Sequence, residues 1–312
     1  MGKLAVVAIG GNSLTRSGQR GTIAEQFENA RSTSHSIADM IARGYDVVVT
    51  HGNGPQVGNI LLRAEMASAV LPMLPLDTCG ADSQGGIGYM LQQVLGSELA
   101  KRGVSKDVVT VLTQVVVDRD DPAFSSPSKP IGPFYSEEDI RRKRDADGWD
   151  VVEDARRGWR RVVPSPMPVR IVEVNAIRAL LSADCVVIGV GGGGIPVVEE
   201  EDGLRGVEAV IDKDHASRLL ANDIGASLFV ISTDVPRVAL FYGTKDENML
   251  YELTVEQARC YYDEGHFPPG SMGPKILAGI AFLENGGEEV IITNPESLVR
   301  ALDGETGTRL VR

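Results

Sequence analysis

Three lysines stand in settings that an ordinary surface charge does not need. VIDKDHASRLLA sets Lys213 between Asp212 and Asp214, just ahead of a helical run. GSMGPKILAGIAFL sets Lys275 behind a Gly-Pro turn, at the start of another helix. A cation at a helix N-terminus opposes the macrodipole, and an anion held between the two removes the conflict. Lys129 lies in KPIGPFY, directly before Pro130. Only eight of the 31 basic residues are lysine, so arginine is the usual surface cation and lysine at these points reads as a chemical requirement. The chemistry that paired point charges beside an aspartate can serve is phosphoryl transfer. That reaction asks mainly for alignment and for positive charge on the moving group.

Three glycine turns point the same way. Gly10-Gly11-Asn12, His51-Gly52-Asn53-Gly54-Pro55 and the run from Gly191 to Gly194 each follow an apolar, β-rich stretch. In open parallel sheets, ligands gather at the carboxyl ends of the strands, and glycine lets bare N–H groups approach an anion. One such turn is explained by geometry alone; three at equivalent strand ends favour anion binding. GVGGGG (189–194) formally matches the dinucleotide pattern GxGxxG, but that pattern needs a helix to open inside the glycines. Ile195-Pro196-Val197-Val198 and an acidic cluster follow instead, so NAD binding is set aside. GxxxxGKS/T, GxSxG and HExxH are all absent, and His35, His51, His215 and His266 lack metal-ligand spacing. His35 reads as a structural residue on a helix, and His51 as a polar member of its turn.

The elements that must carry these turns follow from periodicity. Leu4 to Ile9 reads as a first strand. Thr22 and Glu25 have the spacing of a capping box, and Ile23, Phe27, Ala30, Ile37 and Ile41 recur at helical period until Gly44. Val47 to Thr50 reads as a second strand, with Pro55 at the first position of the next helix. Further strands are expected over 109–117, 185–190, 228–232 and 290–293. A last helix is expected from Asn294-Pro295, and a closing strand over 309–311. Strand and helix alternating in this way predict an α/β fold with a mainly parallel sheet. Residues 118–168 break the rhythm, hold both tryptophans, and read as a small protruding subdomain.

Composition narrows the function classes. A net charge of -12 argues against a general nucleic-acid binder, so RRKR and RRGWRR, interleaved with acids, read as a solvated face. No apolar run reaches the ~18 residues of a membrane helix, and MGKLAVVAIGG is too short and strand-like for a signal peptide. Cys79, Cys185 and Cys260 form no CxxC, which fits a reducing, cytoplasmic setting without disulfides or zinc. All three read as buried small hydrophobes.

In order along the chain, AIGGNSL, THGNGPQVG, PLDTCGADSQGGIGYML, KPIGPFY, GWRRVVPSPMP, GVGGGGIPV, VIDKDHAS, GSMGPKI and GETGT resemble the carbamate kinases of the amino acid kinase superfamily. The resemblance runs essentially from end to end. It implies a three-layer αβα open sandwich with a protruding subdomain at about 118–168. Residues 1–205 would form the carbamate-binding lobe and residues 206–312 the nucleotide-binding lobe. The implied reaction is ATP plus carbamate to ADP plus carbamoyl phosphate, reversible, with Mg²⁺, in a homodimer.

The resemblance also assigns roles. Lys213 and Lys275 would carry the transferring phosphoryl group, Asp214 would organise them, and Lys129 would reach over the substrate. Gly10, Gly11, Asn12, Gly52, Asn53, Gly54, Gly191 and Gly192 would line the carbamate and γ-phosphate site. Asp212, Thr233, Asp234, Tyr242, Met272 and Gly273 would join Lys213 and Lys275 around the nucleotide. Gly86 departs from the larger residue, often Met, that relatives carry there. It is expected to loosen local packing or the dimer contact without touching the chemistry. Two rivals remain at this stage: another small-acid kinase of the same fold, and a non-catalytic nucleotide-binding sensor, which would not need to keep the lysines.

Overall fold

The computed structural model of the chain describes residues 2–11, 14–16, 18–153 and 158–312. Strand β1 (Lys3–Ile9) shows how its layers arise. Ala5, Val7 and Ile9 face one hydrophobic core, and Val6 and Ala8 face another. A pleated strand covered on both faces alternates in this way, and its run reads as continuously apolar. On one face lie helices α1 (Ile23–Ala42), α3 (Leu76–Lys101) and α9 (Leu298–Leu302). On the other lie α5 (Val174–Ser182), α6 (Lys213–Asp223), α7 (Val255–Asp263) and α8 (Met272–Glu284). The expected three-layer αβα sandwich is the observed one.

From edge to edge, the central sheet runs β15 (Glu252–Thr254), β17 (Thr308–Val311), β16 (Glu289–Thr293), β12 (Leu228–Ser232), β1, β2 (Tyr45–His51), β9 (Val186–Ile188) and β3 (Val108–Thr110). Every pairing in it is parallel except β16 with β17. The parallel register puts the carboxyl ends of β1, β2, β9 and β12 on one edge of the sheet. A second sheet joins β11 (Gly203–Gly206), β10 (Ile195–Glu200), β4 (Gln114–Val117) and β8 (Pro168–Ile171). A short ribbon pairs β13 (Ala239–Leu240) with β14 (Asn248–Met249).

The excursion forms a unit of its own. β5 (Lys129–Tyr135), β7 (Trp159–Val163) and β6 (Val151–Glu153) make an antiparallel sheet that carries α4 (Glu137–Asp147). This unit sits on α2 (Gly54–Ala67), whose Val57 and Leu61 share a small core with Ile131 and Val163. The two backbones nearly touch: a Cβ on Gly58 would lie 2.4 Å from Gly132 Cα. Any larger residue at 58 would lift β5, and Lys129 with it.

Two expectations are corrected. The β-rich run over 109–117 is not one strand but two, β3 in the central sheet and β4 in the second, because the chain turns between sheets at Val111 to Thr113. Asn294-Pro295 opens only a single 3-10 turn (Pro295–Ser297), capped by the Asn294 side chain, before the five-residue α9. Of the cysteines, Cys79 is buried as expected, but Cys185 is half-buried and Cys260 exposed. Thr22 and Glu25 do form the reciprocal capping box of α1.

α1 and α3 are tied by a buried acid. Glu98, with 5% of its side chain exposed, accepts from Lys101 at 2.6 Å and from Arg102 at 2.8 Å, and lies 3.2 Å from His35. His35 is thus structural, as expected. The hydrogen bonds from Lys101 and Arg102 outweigh burial and hold the Glu98 carboxyl down at about 2. A depressed carboxylate stabilises the fold fully above its unfolded pKa near 4.5, and that stability is lost as pH falls toward about 2. Glu98→Gln is therefore expected to lose on the order of 2 kcal/mol at neutral pH. Its melting temperature should also fall less steeply than that of wild type between about pH 5 and 3. Parallel Tm-versus-pH curves would contradict this assignment.

Candidate active site

The carboxyl ends of β1 and β2 open into glycine turns, and α6 and α8 point their N-termini at the same place. Asp212 caps α6 by accepting the Asp214 N–H through Oδ1 at 2.8 Å. Its other oxygen accepts from Lys129 Nζ at 2.6 Å. This ion pair links the protruding unit to the cap of α6.

Behind it, one carboxylate serves two lysines. Asp214, 3% exposed, accepts from Lys213 Nζ at 2.9 Å and from Lys275 Nζ at 3.3 Å, one on each oxygen. Lys275 also donates to Ser271 O at 3.1 Å. Burial alone would raise the Asp214 pKa, but Lys213 and Lys275 together reverse this and hold the carboxylate well below its usual range. Burial pushes the Lys213 ammonium below the usual lysine range, while Asp214 opposes that shift. The sum is two cations against one anion, a local surplus of positive charge inside an acidic protein. Thr50 and Ser217, both fully buried, lie 2.6 Å apart, and Ser217 donates to Lys213 O at 2.6 Å, fixing the start of α6 to the end of β2.

These groups line a cavity of about 230 Å³. Among the expected residues, Gly11, Gly52, Asn53, Gly54, Gly192, Lys129, Asp212, Lys213, Asp214 and Lys275 face it. Gly10 and Gly191 do not: Gly191 is buried behind the lining, packed on His51 and Gln84. Asn12 lies outside the described residues. The glycine run forms only a single 3-10 turn (Gly191–Gly193), broken by the left-handed Gly192, and then enters β10 rather than an α-helix, which removes the dinucleotide geometry. His51 is fully buried beneath the turns, and burial pushes its imidazole down to about 4, so it stays neutral and leaves the positive charge to the lysines.

A second cavity of about 210 Å³ adjoins the first. Thr233, Asp234, Tyr242 and Met272 line it, whereas Gly273 braces the start of α8 against the backbone of Phe267 and Pro268. Its mostly apolar wall includes Val235, Ala239, Phe267 and Pro268, which sequence reasoning missed. The Phe-Pro-Pro break between α7 and α8 is the signal that could have found the last two. Ser271 lines both cavities, so they meet at this residue, one of them mostly apolar and the other cationic. Such a site fits a nucleoside polyphosphate lying base-first in the second cavity, its terminal phosphate among the lysines.

Comparisons with known proteins identify the family. The model of the amino acid kinase family matches residues 3–294. A carbamate kinase of Pyrococcus furiosus is 53% identical over 313 residues, with all of both chains covered. The carbamate kinase-like protein YahI of Escherichia coli is 51% identical, again over the whole of both chains. A solved carbamate kinase from Giardia lamblia bound to AMP-PNP superposes with a TM-score of 0.93 at 41% identity, covering 99% of this chain and 98% of that one. The chain belongs to the amino acid kinase family, on the branch that holds the carbamate kinases.

Proposed function

We propose that this chain catalyses reversible phosphoryl transfer between ATP and carbamate, giving ADP and carbamoyl phosphate. The observation that carries the proposal is the Lys213–Asp214–Lys275 triad facing a small, glycine-lined cavity beside an apolar one. A carboxylate oxygen of carbamate attacks the γ-phosphorus, and the bond from that phosphorus to the bridging oxygen of ADP breaks. Carbamate is already an oxyanion, so no proton has to be removed and no general base is required. Lys213 and Lys275 offset the charge on the moving group and the leaving oxygen, and the turns after β1 and β2 align the acceptor. Lys129, released from Asp212, covers the acceptor side.

Among the described residues no cluster of three or more His, Cys, Asp or Glu side chains could hold a metal. Asp212 and Asp214 are both engaged by lysines. Mg²⁺ would enter with the nucleotide, whose phosphates and bound water supply most of its ligands. Gly11, Gly52, Asn53, Gly54 and Lys129 come from residues 1–205, and all the lining of the second cavity from 206–312. That division supports an acceptor lobe followed by a nucleotide lobe. The acceptor side is a small cavity of about 230 Å³, which accommodates a small acid beside a terminal phosphate. The test is ATP formation from Mg-ADP and carbamoyl phosphate. Nucleotide binding without turnover would favour a sensor, and turnover only with another acyl phosphate would favour a different small-acid kinase.

The functional unit we propose is a homodimer. Ile23, Tyr89 and Leu112 are 64%, 62% and 52% exposed, and Tyr89 stacks edge-on with Phe27, one turn beyond Ile23. The Phe27–Tyr89 contact brings apolar side chains of α1 and α3 together, of the kind an association surface presents. Gly86 also lies on α3, and a Cβ there would meet nothing within 4 Å, so its departure from a larger residue loosens no packing inside the chain. Light scattering should give twice the 33.4 kDa chain mass, and Tyr89→Glu should halve it; a wild-type monomer would contradict the dimer.

A further inference from the structure

Neither Ser83 nor Gln84, adjacent on α3, lines the acceptor cavity, yet they hold two of the turns that do. Gln84 is 1% exposed and uses its whole carboxamide. Its Nε2 donates to Gly191 O at 2.9 Å and to Thr113 O at 3.1 Å, and its Oε1 accepts the Thr113 N–H at 2.8 Å. Thr113 in turn accepts the Val190 N–H through Oγ1 at 3.0 Å. These bonds brace from outside a turn whose own hydrogen bonds, Gly193 N–H to Val190 O at 3.1 Å and Gly194 N–H to Gly191 O at 3.0 Å, close it in a strained form. Val190 has φ 50°, an unfavourable left-handed conformation for a β-branched residue, and Gly192, Gly193 and Gly194 follow at φ 68°, 96° and 92°. Strain of this kind persists only where surrounding contacts over-determine it.

Ser83, 2% exposed, accepts from Asn53 Nδ2 at 2.7 Å and donates to Gly80 O at 2.7 Å. Asn53 caps α2 and lines the cavity, and its carboxamide presses on Gly192: a Cβ there would come within 2.2 Å of Nδ2. One rigid helix thus grips the turn after β2 through Ser83 and the turn after β9 through Gln84, at consecutive residues.

We propose that Ser83 and Gln84 are positioning residues for the transfer reaction, setting the spacing between the 51–55 and 190–194 turns and so the width of the acceptor cavity. The proposal rests on the carbamate kinase reading of that cavity. It predicts an effect confined to the acceptor side, because the second cavity is built from residues 233–272 and touches neither turn.

The test compares wild type with Gln84→Met, which keeps length while removing all three bonds, and with the milder Ser83→Ala. Each variant is expected to lower kcat/KM for carbamoyl phosphate by roughly 10–100-fold, as small misplacements of an aligned acceptor do. The Kd for ADP by calorimetry should stay within about twofold, as an effect confined to alignment requires. Amide hydrogen exchange should rise at 190–194 in Gln84→Met and at 51–54 in Ser83→Ala, with β12 unchanged. Wild-type kcat/KM in the folded variants, or an equal loss of ADP affinity, overturns the proposal. If Gln84→Met does not fold, Ser83→Ala decides alone. If wild type makes no ATP, the functional reading fails instead, and the exchange rates still decide whether the two residues hold the turns.

Discussion

Lys213→Met is expected to lower the rate of ATP formation from ADP and carbamoyl phosphate by about 10²–10³-fold, the usual effect of removing one preorganised charge from a transition state. The size follows from burial. Lys213 and Asp214 are screened from water, so the ammonium acts on the moving phosphoryl group through a low local dielectric, where it counts for far more than at a surface. The fold should survive, because Asp214 keeps Lys275 at 3.3 Å and methionine fills the same channel without a charge. Thermal melting within a few degrees of wild type, together with the loss of turnover, is the combination to look for. A variant with wild-type turnover would show that this lysine only balances Asp214.

Gly193→Ala should be comparably damaging, and for a purely steric reason. Gly193 has φ 96°, and a Cβ there would lie 2.3 Å from Ile211 O. That oxygen belongs to the backbone that leads directly into Asp212 and Lys213, so it cannot yield without moving the cap of α6. Two costs add: about 1–2 kcal/mol for an L-residue in a left-handed conformation, and displacement of Lys213. Turnover should fall by at least ~10²-fold, since a shift of about 1 Å is enough for a loss of that size. Crystals of the variant should show the 211–213 backbone displaced. Unchanged kinetics would mean that the turn and α6 are not mechanically joined.

The chemistry was more legible than the frame that aims it. Lys213 and Asp214 are neighbours in sequence, and Lys275 sits behind its own Gly-Pro turn, so local context exposed them. The glycine turns showed their positions, but not which glycine faces ligand. Gly192 lines the cavity while Gly191 packs on His51, a distinction fixed by alternating backbone directions within one turn. Gln84 left no local signal, because a glutamine inside a helix looks like any solvated one until β4 and β9 are brought to it. The same holds for Val235 and Ala239, whose apolar character is shared with every core position. The division of 109–117 between two sheets was hidden because both halves are equally β-prone, and only their partners differ.

The most direct test of the account is a coupled assay of ATP formation from Mg-ADP and carbamoyl phosphate, run on wild type and on Lys275→Ala side by side. Rapid ATP formation by wild type that falls at least ~10²-fold in the variant, with ADP still bound by both, is the predicted result. No ATP from wild type while ADP binds, or equal rates from both proteins, would contradict it.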